Sequence, residues 1–172
     1  MEALGYPNSG RFLFQGRITQ SFTKAPLQWQ PDLGGATVVD TLDELSARGR
    51  DRWLDARYSI PAATLDQEAQ LPTDQSHVLL DYYNGLGSPL EALGAPVSLK
   101  SYGPVDTLRL QKGFLQLWTG DTAWAASQSV VVGNTGDIAR AAGLWPAEAT
   151  APAALTAQTT AGPTETEVPP DE

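Results

Sequence analysis

One phrase occurs twice in this chain. Glu2-Ala3-Leu4-Gly5-Tyr6-Pro7-Asn8-Ser9 returns as Glu91-Ala92-Leu93-Gly94-Ala95-Pro96-Val97-Ser98. Each copy leads, after a polar gap, to a second shared phrase. The first is Lys24-Ala25-Pro26-Leu27-Gln28-Trp29 and the second is Lys112-Gly113-Phe114-Leu115-Gln116-Leu117-Trp118. The copies stand 89 residues apart at the Leu-Gly step and 88 apart at the lysine, a slip that one loop deletion produces. Self-similarity at a fixed offset marks a repeated supersecondary unit. The chain must therefore fold as two related halves.

The shared phrase has a physical reading. Leu is a buried anchor, and Gly takes the left-handed conformation that a Cβ resists. Pro sets its own φ and pushes its predecessor toward extended geometry. The Ser hydroxyl can bond nearby backbone. Together they describe a rigid corner that ends one element and launches a strand, with nothing catalytic in it.

Strand signals follow each corner. Phe12 and Phe14 alternate with other residues, Gln15-Gly16 makes a turn, and Ile18, Gln20 and Phe22 continue with period two. Leu27 to Gln30 adds a third strand, Pro31 to Gly35 a loop, and Val38-Val39 a further strand. In the second half, Asp106 to Gln111 and Phe114 to Trp118 read as a hairpin, and Ser129 to Val132 as a short strand. Helix signals lie between and after. Thr41 with Glu44 has capping-box spacing. Leu42, Leu45, Trp53 and Leu54 could line one face, broken at Gly49. Glu44 and Arg48 are spaced for a helical ion pair. Arg48, Arg50, Arg52 and Arg57, interleaved with Asp51 and Asp55, read as a solvated face. His77 to Tyr83 and Ser88-Pro89 to Leu93 are short helices. Asn134 and Asp137 have capping-box spacing before a last helix, whose Ile138, Ala141 and Ala142 face inward and which Gly143 ends.

These signals predict an α+β fold: two related strand-rich halves, each a β-hairpin or meander, joined by short helices into one compact body with a disordered C-terminal tail. The divisions are 1–60 (first repeat and helical segment), 61–76 (connecting surface loop), 77–145 (second, diverged repeat with its helix) and 146–172 (tail). After Pro146 the composition collapses to Ala, Thr, Pro and Glu, too apolar-poor to offset its ordering entropy. The chain opens almost inside its first motif and reads as a trimmed fragment or a domain of a longer protein.

At 172 residues and 41% hydrophobic, the chain can bury a real core. It has no cysteine and a single histidine, His77, so a His/Cys zinc site is excluded and His77 reads as a cap or surface residue. The net charge of −9 includes five acids from Pro146 onward, leaving the body mildly acidic. That lacks the basic footprint of a nucleic-acid binder and disfavours an acidic membrane surface. No apolar run spans a bilayer, so membrane insertion is not expected. A calcium loop, a phosphate-binding glycine loop and a Gly-x-Ser-x-Gly elbow are missing. Ser21-x-x-Lys24 and Tyr82-x-Asn84 match spacings of penicillin-binding enzymes, but Ser21 lies in a strand pattern where those enzymes need a helix start. No catalytic residue, metal or cofactor is assigned, although two carboxylates brought together by folding could still make a hydrolase.

The first half resembles the LGFP repeat of secreted bacterial proteins. The matching residues are Leu4-Gly5-Tyr6-Pro7, Ser9, Gln15-Gly16-Arg17, Phe22, Trp29-Gln30-Pro31, Gly34-Gly35-Ala36 and Val38-Val39. The second half looks like a diverged copy, with Leu93-Gly94-Ala95-Pro96. Its ending, Trp124-Ala125, Asn134 to Ala139 and Gly143-Leu144, is similar to non-catalytic modules that accompany exported cell-wall hydrolases. The resemblance implies an extracellular or cell-envelope location. It also implies a non-catalytic module for envelope association or spacing, whose partner is cell-wall polysaccharide or another envelope protein. The alternatives are a subunit of a larger extracellular assembly and an accessory part of a cell-wall hydrolase.

Aromatic side chains join large apolar area to a polar handle, so they are the candidate ligand contacts. Tyr82, Tyr83, Tyr102 and Trp124 are expected to reach the surface and line a groove. Trp29 and Trp118, at matched repeat positions that end strands, are expected in the core.

Overall fold

The computed structural model describes residues 4–63, 73–123 and 125–150. Pro7–Phe14 (β1), Arg17–Phe22 (β2), Pro26–Gln30 (β3) and Gly35–Val38 (β4) form an antiparallel meander. Four helices follow: Thr41–Ala47 (α1), Asp51–Tyr58 (α2), Thr73–Asn84 (α3) and Pro89–Leu93 (α4). A second meander is built from Pro96–Ser101 (β5), Val105–Leu110 (β6), Phe114–Trp118 (β7) and Ser129–Val132 (β8). Thr135–Ala141 (α5) and Ala147–Thr150 (α6) close the described chain. The fold is α+β, with two related four-stranded sheets.

The repeated phrase makes the same corner twice. Gly5 and Gly94 have φ of 73° and 76°, the left-handed region. Beside Gly5, Thr23 N–H donates to Tyr6 O at 2.8 Å and Lys24 N–H to Leu4 O at 3.1 Å. Beside Gly94, Gln111 N–H donates to Ala95 O at 3.1 Å and Lys112 N–H to Leu93 O at 3.0 Å. A Cβ at Gly94 would stand 2.7 Å from Gln111 Cβ, and one at Gly5 would overlap the Thr23 hydroxyl. Each corner thus needs glycine for its φ and for its space.

The helix after each sheet crosses to the other half. Leu42 and Asp43 N–H at the start of α1 donate to Gln111 O at 3.1 and 3.2 Å. Thr135 N–H at the start of α5 donates to Lys24 O at 3.1 Å, and Asp137 N–H donates to Thr23 O at 3.2 Å. Each helix start is satisfied by the opposite corner. This corrects both expected capping boxes. Neither Asp40 nor Asn134, the residues at the cap positions, makes a side-chain cap bond. Thr41 Oγ1 instead donates back to Val39 O, and Asp137 Oδ1 accepts from Asn8 Nδ2 at 2.8 Å. The orphan N–H groups of a helix start need one acceptor each, and backbone carbonyls had already supplied them.

One core draws on both halves. Phe12, Phe14, Leu42, Leu45, Leu54 and Ile60 pack with Phe114, Ile138, Ala139, Leu144, Trp145 and Ala149. The Phe14 and Trp145 rings meet edge to face at 5.1 Å. A second cluster lies on the far face of the second sheet, where α3 sets Leu79 and Tyr83 against Leu108, Leu110, Leu115 and Leu117.

Other expectations need correction. Glu44 accepts from Gln15 Nε2 at 2.6 Å, and Arg48 lies over the Phe14 ring, so their helical ion pair does not form. Packing across elements took both side chains. Ala141 is exposed, and Ala139 takes its inward place beside Ile138. Within the expected loop 61–76, the last four residues belong to α3. Pro61 is buried, and α3 begins at Thr73. Within the expected tail, Ala147–Thr150 is helical and buries Ala149 against β1. Residues 64–72 and 151–172 lie outside the described residues.

Candidate functional site

Arg109 organises the junction between the halves. It sits on β6 with no exposed surface. Nη1 donates to Asp51 Oδ1 at 2.9 Å and to Pro61 O at 2.8 Å. Nη2 donates to Leu42 O at 2.9 Å and to Ser46 Oγ. Ser46 passes the polarity on, donating to Asp51 Oδ1 at 2.7 Å. A buried guanidinium is costly unless its donors are matched; here both Nη atoms are matched twice, while the buried Nε has no hydrogen-bond partner.

Asp51 opens from this junction into a cleft of about 240 Å³ between α2 and β5. Asp55, Arg52, Ser98 and Lys100 also line it. Asp51 and Asp55 are one helical turn apart on α2, so both carboxylates face the same space. Asp55 Oδ1 accepts from Lys100 Nζ at 2.7 Å and from the Tyr102 hydroxyl at 2.5 Å. Burial pushes the Asp51 carboxyl up, but hydrogen bonds from Ser46 and Arg109, with the guanidinium charge, hold it below the usual carboxylate range. Asp55 is likewise raised by burial and lowered further by Lys100 and Tyr102. Burial and the bond to Asp55 raise the Tyr102 hydroxyl. Both carboxylates are therefore held as anions in ion pairs. Glycoside hydrolysis needs one carboxyl kept protonated as the acid.

Of the four aromatics chosen from the sequence, the three described, Tyr82, Tyr83 and Tyr102, do not line one groove. Tyr82 is exposed on α3. Tyr83, its neighbour, is buried, with its hydroxyl donating to Gly94 O at 2.9 Å. This corrects its expected exposure: adjacent residues on a helix face different directions, and the corner carbonyl needed a donor. Tyr102 is half-buried beside the cleft, engaged by Asp55. Trp124 lies outside the described residues. His77 is exposed on α3, and Ser21 is a buried strand residue. Among the described residues, no group of three or more His, Cys, Asp or Glu could hold a metal ion, and no helix is long and apolar enough to cross a membrane.

Sequence reasoning missed the first sheet's outer face. Its inner face carries Phe12 and Phe14 on β1 but is polar on β2 and β3: Thr19, Ser21 and Gln28 are buried, and Gln28 Nε2 donates to Phe14 O at 2.9 Å and Thr19 Oγ1 at 3.2 Å. α5 abuts the end of β2, where a Cβ at Gly136 would overlap the Phe22 carbonyl oxygen. Gln28 faces inward, so by the alternation of a strand its neighbour Trp29 points outward and is 45% exposed, which corrects its expected place in the core. Trp118 is half-buried. Leu13 and Ile18 pair across β1 and β2 on the outer face, at 67% and 52% exposure. A shallow hollow of about 410 Å³ lies here, lined by Ile18, Phe22, Leu27 and Trp29 with Arg11 and Gln20. The available signal was the run of small or amide residues at alternate positions, Thr19, Ser21 and Gln28, which could have marked the inward face.

Compared with protein-family models, with curated proteins and with solved structures, the chain matches none.

Proposed function

We propose that this protein is a non-catalytic module that associates with the cell envelope by binding, and that the outer face of its first sheet is the binding surface. The observation that carries this reading is the hollow around Trp29, where exposed apolar side chains stand beside Arg11 and Gln20. Exposed apolar surface gathered on one face marks an interaction site far more often than scattered residues do. The LGFP-like corner phrases supply the envelope setting. The cleft at Asp51 and Asp55 favours binding over hydrolysis, because both carboxylates are held ionised by cations.

Retention of the full chain on purified cell envelopes tests the reading. Envelopes from which protein has been stripped and intact ones serve as the two arms. Trp29→Ala should lose retention, while Tyr82→Ala, on a different surface, should keep it. Equal retention of wild type and Trp29→Ala would remove the outer face from the binding role.

A further inference from the structure

The two sheets can be superposed through their shared register. Thr19 pairs with Gln28 across β2 and β3 as Thr107 pairs with Gln116 across β6 and β7. In both, the glutamine amide donates to the threonine hydroxyl, at 3.2 and 3.4 Å. On this register Phe22, Leu27 and Trp29 stand where Leu110, Leu115 and Leu117 stand in the second sheet. Arg11 and Gln20 stand where Leu99 and Leu108 stand. In the second sheet this face is roofed by α3, which buries Leu79 and Tyr83 on it. In the first sheet no helix among the described residues covers it.

We propose that the outer face of the first sheet is a docking slot for one amphipathic helix of a partner protein, carrying an acidic residue against Arg11. The proposal rests on the reading that this face is the module's binding surface. Size supports it. Four strands at about 4.8 Å spacing and about five residues long give a face near 300 Å², and a 12-residue helix like α3 is about 18 Å long. Charge supports it too. Arg11 is the one charged side chain lining the hollow, in a chain of net charge −9. Arg11 makes no ion pair with a described residue. Arg11 and Gln20, where the second sheet has leucines, are the polar substitutions expected of a face that meets its helix reversibly.

The probe is a lactam-bridged helical peptide of this chain's residues 73–86, titrated calorimetrically into the full-length protein. It contains the apolar pair Leu79 and Tyr83 and two aspartates. We expect one-to-one binding that Trp29→Ala abolishes, that Arg11→Glu weakens about tenfold or more, and that added salt weakens. The same peptide with Leu79→Ala and Tyr83→Ala should not bind. No binding at about 1 mM peptide to the folded protein would overturn the proposal. So would binding that Trp29→Ala leaves unchanged, since the peptide would then be displacing α3. Trp29-dependent retention on protein-stripped envelopes without peptide binding would keep the module and remove the helix slot, leaving a glycan as occupant. Peptide binding without envelope retention would keep the slot and remove the envelope reading.

Discussion

Arg109 Nη1 and Asp51 Oδ1 lie 2.9 Å apart across the junction of the two halves, the cation fully buried and the anion open to the cleft. The asymmetry matters for what each substitution does. Removing the anion leaves a buried cation with three other acceptors. Removing the cation takes the shared donor from two carbonyls and a hydroxyl and leaves the Asp51 carboxylate only Ser46 and the Ala63 N–H.

Arg109→Ala should therefore lower unfolding stability by about 3–5 kcal/mol, the usual cost of breaking a buried pair from one side. Arg109→Lys should recover little, because one ammonium cannot replace the planar fork that reaches both helices. Urea unfolding midpoints measure both. A loss under about 1 kcal/mol for the alanine variant would show that the junction is held by its apolar contacts.

Acid should act through Asp51 and Asp55. Their folded pKa values lie below the ordinary value of about 3.9. Their contribution to stability is whole above about pH 4 and is lost as pH falls through the lower folded values. Asp43 runs the other way, raised by burial and by neighbouring Asp40. The stability it adds is complete below about pH 4 and is lost as pH rises through its folded value. Thermal melts from pH 2 to 7 should show Asp51→Asn flattening the acid limb, with Asp43→Asn gaining stability near pH 7. An unchanged acid limb in Asp51→Asn would put the acid sensitivity elsewhere.

Gly136→Ala gives a sharper test of the crossing helices. Alanine is the better helix former by about 1 kcal/mol, so an isolated α5 would gain from it. In the folded chain the new Cβ would meet the Phe22 carbonyl oxygen, which is backbone and cannot swing aside. The expected result is a net loss of about 1–3 kcal/mol. Higher stability would mean that α5 and β2 are further apart than described.

Trp29→Ala and Tyr83→Phe should separate binding from folding. Trp29 lies on the surface, 45% exposed, and its loss should shift stability by no more than about 0.5 kcal/mol. Tyr83→Phe removes only a hydroxyl, but one bonded to the Gly94 carbonyl in the core, and should cost about 1 kcal/mol. Melting temperatures of the two variants decide this; a destabilised Trp29→Ala would mark the indole as structural.

Residues 1–63 expressed alone should not fold, despite containing the whole first sheet. Its inner face would lack α5, α6 and Trp145, and the start of α1 would lack the Gln111 carbonyl. An amide proton spectrum without dispersion is expected. A dispersed spectrum would show that the first half is autonomous.

The sequence carried the repeat, and the repeat carried most of the fold. Both corner glycines, both meanders and the helix stops at Gly49 and Gly143 followed from local rules that depend on a few neighbouring residues. The capping boxes failed because the competing acceptors are more than sixty residues away along the chain. Trp29 and Tyr83 failed for a related reason: burial depends on which helix lands on which face, and period two does not say which side of a strand is inside. The paired carboxylates of the cleft were visible as Asp51 and Asp55 on a helix, but their partners Lys100, Tyr102 and Arg109 came from the other half. Matching the two phrases by strand register would have helped, since it aligns Trp29 with Leu117 instead of Trp118 and shows a roofed face beside a bare one.

The helix that follows each sheet finishes the other half's corner and leaves its own to be finished in return. Such a unit is complete only in twos. A descendant with a third copy would expose one raw corner and one idle helix, and would have to recruit another molecule to close them.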